Sequence, residues 1–127
     1  MSQEHIEVVR RLFVGFDRED WAAALELFDQ AVEWSSTEGI YHGPEGVLNS
    51  LVEWFEPWEE HHVEVDEVID IGDQVLAVLH LSARARQSGM EIDQRFFQLY
   101  TVRAGRIIRM AEFLTRDEAV EAARVPG

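Results

Sequence analysis

The sequence has no cysteine, and its eleven basic residues are all arginine, so lysine is absent as well. Without cysteine there are no disulfides, no thiolate metal sites and no cysteine nucleophile. No apolar run approaches the roughly 18 residues that a membrane span needs. Met1 to Arg11 mixes charge with helical periodicity and lacks the apolar stretch of a signal peptide, so the cytoplasm is the expected location. There is no phosphate-binding loop, no dinucleotide fingerprint, and no repeat or low-complexity stretch. Positive charge is scarce: 11 basic residues stand against 25 acidic ones, for a formal net charge of −14. Such a surface repels phosphate backbones and anionic lipid, which argues against nucleic acid and membrane as partners.

What is present is a core. The chain has 127 residues, 46% of them hydrophobic, which suits one domain over residues 1–127. Ile6, Val9, Phe13 and Phe16 recur at helical spacing and predict a first helix over Gln3–Phe16. Asp20 is a good N-cap for a second helix whose face is Trp21, Ala24, Leu25 and Phe28. A short strand is expected at Ala31–Ser35. The Gly39–Gly46 segment, with Gly43-Pro44, reads as a turn into a third helix bearing Val47, Leu51, Trp54 and Phe55, which Pro57 ends or kinks.

After Trp58 the period becomes two. Strands are expected at His62–Ile71, Gln74–Ala83, Glu91–Val102 and Arg106–Thr115, followed by a closing helix over Asp117–Arg124. Gly72-Asp73, Ser88-Gly89 and Arg103-Ala104-Gly105 supply the turns of an antiparallel meander. Helices first and a meander afterwards predict an α+β fold of four to six strands, with the helices on one face of the sheet.

Alternation sorts each strand into two faces. Ile92, Gln94, Phe96, Gln98, Tyr100 and Val102 carry no charge and are placed inward. On the last strand Ile108, Met110, Glu112 and Leu114 are placed inward, which keeps Arg109 outside and one carboxylate inside. On Gln74–Ala83 the set Leu76, Val78, His80 and Ser82 is placed inward, although Val75, Ala77, Leu79 and Leu81 are equally apolar. A sheet apolar on both faces needs cover on both. Leu79, Leu81, Phe97 and Phe113 therefore predict a homodimer through the convex face; the alternative is cover by the C-terminal helix of the same chain.

Several segments together resemble SnoaL-like proteins of the nuclear-transport-factor-2-like (ketosteroid isomerase-like) superfamily. They are the helix-helix-strand opening, residues 39–47, the Ile71-Gly72-Asp73-Gln74-Val75 hairpin, residues 100–107 and the ending at residues 113–119. The resemblance spans almost the whole chain. It implies a curved antiparallel sheet wrapped with three N-terminal helices into a cone with an internal pocket, a cystatin-like α+β roll, and frequent dimerisation. The superfamily includes isomerases, cyclases, epoxide hydrolases and pocketed proteins without known activity. Ketosteroid isomerases set a carboxylate base on the first strand, where this chain has Trp34 and Ser35, and a tyrosine on helix one, which this chain lacks. The arginine and two aspartates of limonene-type epoxide hydrolases fall near His80, Ser82 and Glu112, of which only Glu112 keeps a carboxylate. Glu112 is also the residue that resembles the acid/base carboxylate of the cyclases.

Glu112 and His80 are accordingly the candidate catalytic pair. A carboxyl buried among Phe96, Tyr100, Met110 and Leu114 is suited to general acid/base work, and His80 would share its proton from a neighbouring strand. The other reading of Glu112 is a structural carboxylate held by Tyr100, His80 or Gln98. Candidate ligand-binding residues are Trp34, Tyr41, Trp54, Val78, Ser82, Gln94, Phe96, Gln98, Tyr100, Met110 and Leu114, enclosing a small apolar or amphipathic molecule. His61-His62 is the one hint of a metal, but adjacent strand residues point to opposite faces, so no metal or other cofactor is expected. Two functions remain open: a small-molecule-binding domain, and a cofactor-free isomerase, cyclase or hydrolase acting through Glu112.

Overall fold

Residues three and four apart fall along one stripe of a helix, and an apolar stripe must be buried. The computed structural model describes residues 2–124; Met1 and residues 125–127 of the expected domain lie outside the described residues. In it the first stripe belongs to α1 (Ser2–Asp17), whose Val9, Leu12, Phe13 and Phe16 are buried in the main core. Asp20 caps α2 (Trp21–Glu26) by accepting the Ala23 N–H at 3.2 Å. Phe28 does not belong to that helix face. It opens β1 (Phe28–Ser36), because the helix is only six residues long.

β1 pairs antiparallel with β2 (Gly39–His42) across the Thr37-Glu38 loop, so a hairpin arm stands where a turn alone was expected. Gly43, at φ +77°, bends the chain into α3 (Gly43–Phe55), and Pro44 sits in its first turn, where a missing N–H costs nothing. The meander follows as β3 (Trp58–Ile71), β4 (Gln74–Ala85), β5 (Glu91–Arg103) and β6 (Arg106–Phe113), and α4 (Arg116–Arg124) closes the described chain. The six strands form one open sheet in the order β2-β1-β6-β5-β4-β3. Every neighbouring pair is antiparallel except β1 and β6, which run parallel. This is the curved α+β roll expected from the sequence. α1, α2 and α3 pack with the inner face of the sheet in one core, and α4 packs outside over a second, smaller one.

Strand register corrects the assignment of faces. Opposite residues in an antiparallel pair share a face. Leu79 lies opposite Phe96, Ala77 opposite Gln98 and Val75 opposite Tyr100, so the odd residues of β4 join the even residues of β5 inside. Val75, Ala77 and Leu79 belong to the inner core, while Leu76 and Val78 belong to the outer one. Val78, His80 and Ser82 therefore face outward, contrary to expectation. Both sets of this strand are apolar, so alternation had no power to choose between them. On β6 a register shift at Thr101/Val102 pairs Val102 with Ile107, which puts Ile107 rather than Ile108 in the core.

Candidate functional site

A cone lined by helices and a curved sheet leaves a gap where large rings cannot close on each other. Here the gap is a cavity of about 90 Å³ under the β1–β2 hairpin. Its aromatic wall comes from Phe13 and Phe16 of α1, Trp34 of β1, Tyr41 of β2, Trp54 and Phe55 of α3, and Phe96 of β5. Ring contacts run in a continuous belt from Trp34 through Tyr100, Phe13, Phe16, Trp21 and Phe55 to Trp54, with neighbouring centroids 4.9 to 6.2 Å apart. Most of these pairs meet edge to face, the geometry that their quadrupoles favour. The belt fixes the wall without filling the middle.

The polar end is built by β5, β6 and the hairpin loop. Gln98 and Glu112 are directly opposite on β5 and β6, and Tyr100 stands two residues along on the same face. Glu112 Oε2 accepts from Gln98 Nε2 at 2.9 Å, and its Oε1 accepts from the backbone N–H of Thr37 at 3.3 Å. The Tyr100 hydroxyl donates to Gln98 Oε1. Tyr100 is fully buried, and desolvation, reinforced by the Glu112 charge, pushes its phenol well above the ordinary tyrosine range. It is a neutral, fixed donor. Ser36, Thr37, Glu38 and Ser50 complete the rim, and among the described residues no arginine or histidine lines the cavity.

The structure brings together six of the residues expected at the site: Trp34, Tyr41, Trp54, Phe96, Gln98 and Glu112. Tyr100 and Met110 lie beneath it, wholly buried, so they support the lining without touching the space. Gln94 is exposed on its strand and Leu114 is 53% exposed just beyond β6, so neither joins the cavity. Val78, His80 and Ser82 are on the other face of the sheet, and His80 cannot share a proton with Glu112. His80 pairs instead with Asp93, whose hydrogen bond holds the imidazole above its ordinary value of 6.5. His61 and His62 also diverge: one lies 3.7 Å from Glu19, and the other 3.7 Å from Asp17. Among the described residues no three histidine, aspartate or glutamate side chains gather as a metal site.

Sequence reasoning missed the rest of the lining. Phe13 and Phe16 read as the buried stripe of α1, which they also are, and Leu51 and Phe55 read as the apolar face of α3, where they are half-buried. The Thr37-Glu38 loop had a usable signal, since the four residues Ser36-Thr37-Glu38-Gly39, polar and ending in glycine, separate Trp34-Ser35 from Ile40-Tyr41 at the length of a hairpin loop.

Comparison with known proteins agrees with this architecture. The family model of the SnoaL-like domain matches residues 9–110. An uncharacterised protein of Mycobacterium tuberculosis is 32% identical over 124 residues, covering 92% of this chain and 93% of that one. A nuclear-transport-factor-2-like protein of unknown function from Burkholderia pseudomallei superposes with a TM-score of 0.80 at 18% identity, over 96% of this chain and 98% of that chain. TerC, co-crystallised with polyporic acid, superposes with a TM-score of 0.79 at 21% identity, over 96% of this chain and 99% of its own.

Proposed function

The chain belongs to the SnoaL-like domain family, and on that premise we propose that it binds a small organic molecule in the aromatic cavity, with Glu112 orienting the polar part of the ligand. One observation carries this reading: a ring-lined space whose polar end is a carboxylate held in place on both oxygens. Apolar walls with a few fixed polar groups are the usual composition of a small-molecule site. TerC shows that a chain of this fold takes a small molecule in a crystal. Its partner is an acid, and the lining here has no base to receive one.

A second reading is a cofactor-free isomerase, cyclase or hydrolase. It draws on a carboxylate that faces the cavity, with a second, Glu38, at the rim. Against it, the imidazole expected to complete the pair lies across the sheet.

The test is native mass spectrometry of freshly purified protein, followed by a screen of small neutral and charged molecules read by tryptophan fluorescence. Leu51 lines the cavity from α3, and Leu51→Phe fills it. Binding should weaken at least about tenfold in that variant while the fold persists. A screen in which no compound discriminates the variant from the parent overturns the binding reading. Turnover of a bound compound that is lost in Glu112→Gln, with binding kept, would select the enzymatic one.

A further inference from the structure

Charge inside the cavity points to one chemical class of ligand. Glu112 and Glu38 line it, and Glu53 joins Glu38 in a more open vestibule of about 320 Å³ that shares Tyr41, Ser50 and Trp54 with the inner space. Among the described residues neither lining includes an arginine or a histidine. Glu112 is neutralised by no cation of the lining: its two donors are a backbone N–H and a side-chain amide, both uncharged. A half-buried carboxylate without a counter-ion lowers its free energy when a cation enters. The wall facing that cation is made of ring faces and edges. Trp34, Tyr41, Trp54 and Phe96 surround the inner space, and Trp58 stands over the vestibule at 5.9 Å from Trp54. Aromatic quadrupoles attract a weakly hydrated cation, most strongly where water is excluded.

We infer that the ligand is an organic ammonium, with its alkylated nitrogen seated in the inner cavity between the aromatic wall and Glu112, and its remainder lying in the vestibule against Trp54 and Trp58. The inference rests on the binding reading above and adds the charge of the ligand. Size agrees with it. An inner space of about 90 Å³ suits a compact head group, and whole drug-sized ligands take several hundred. An anion would meet Glu112, Glu38 and Glu53 on the way in, on a chain whose net charge is −14.

The experiment compares three molecules of one shape on the full chain: choline, its uncharged carbon isostere 3,3-dimethylbutan-1-ol, and the anion 3,3-dimethylbutanoate. Calorimetry and tryptophan fluorescence report the affinities. Choline should bind about tenfold or more tighter than the alcohol, and the anion should bind weakest. The ratio of choline to alcohol should fall in Glu112→Gln, and to a smaller degree in Glu38→Gln, whose exposed side chain puts the fold at no risk. Rising salt should reduce it as well. Equal or tighter binding of the alcohol overturns the inference and leaves the binding reading standing. Failure of all three overturns it too, and the binding reading falls with it only if the wider screen is also empty.

Discussion

Gln98 has a direction imposed on it. An ionised Glu112 only accepts, so Gln98 must turn its NH₂ toward Glu112 and its carbonyl toward Tyr100, and Tyr100 must donate. The site is thus polarised from a rim carboxylate down to a buried phenol. The three residues were legible in the sequence because their strand positions are uncharged or singly acidic amid apolar neighbours. His80 was not, because Val75 to Leu81 is apolar at nearly every position and alternation there has no phase. Its real environment gives a pH test. The hydrogen bond that the imidazole donates to Asp93 raises it most. Desolvation opposes it, the charges of Asp93 and Asp66 add to it, and Arg95 subtracts. Glu64 and Arg95 are its cross-strand neighbours on the outer face. A raised folded-state pKa means that the protonated form is the stabilising one. The contribution is full below 6.5 and fades as pH rises through the folded value. In a histidine NMR titration the His80 midpoint should lie above 6.5 and drop on Asp93→Asn, with a flatter dependence of melting temperature on pH above 6.5. A midpoint unmoved by Asp93→Asn would remove that hydrogen bond as the cause.

At the scale of elements, most of the fold was readable because each helix and most strands kept a single period. The parts that were not readable depended on pairing. β2 is four residues long and holds two glycine-free positions between Gly39 and His42, too few for alternation to register. The two faces of β4 are decided by its partner on β5, which local pattern does not report. The turn between β5 and β6 shows the sequence working against its own geometry. Arg103 pairs with Arg106, leaving Ala104 and Gly105 as a two-residue loop with φ of 52° and 77°. Both positive values describe the type I′ hairpin turn, which suits asparagine followed by glycine. Alanine in that region is strained by roughly 1 kcal/mol. Ala104→Asn should therefore raise stability by about 0.5–1 kcal/mol in urea unfolding, with an unchanged slope. Ala104→Val should lower it by more than about 1 kcal/mol, since a β-branched residue tolerates the region least. Equal midpoints for the two variants would show that the loop adjusts without strain.

Across the whole molecule, the open question on the convex face is which element covers it. The expectation of a homodimer rested on Leu79, Leu81, Phe97 and Phe113 as an uncovered apolar surface. Leu79 turns out to lie in the inner core, and α4 of the same chain sits over Leu76, Val78, Phe97 and Leu99, with Ala119 fully buried and Arg116 over the Phe97 ring at 5.8 Å. Elsewhere this face carries ion pairs, Arg95 with Asp66 and Arg84 with Glu60, which a second chain would have to desolvate. A homodimer through the convex face and the docking of α4 thus compete for one apolar patch. α4 is nine residues long with a narrow apolar stripe, so its hold depends on that patch rather than on helix propensity. Ending the chain at Thr115 should expose the patch. Light scattering should then show self-association at concentrations about tenfold or more below those at which the full chain associates. Ala119→Asp, which puts a charge under the helix in the intact chain, should move association the same way, and circular dichroism should confirm that the sheet persists in both. Adding Phe97→Glu to the shortened chain should restore the behaviour of the full one. If the full and shortened chains associate alike, the convex face is not where two copies meet.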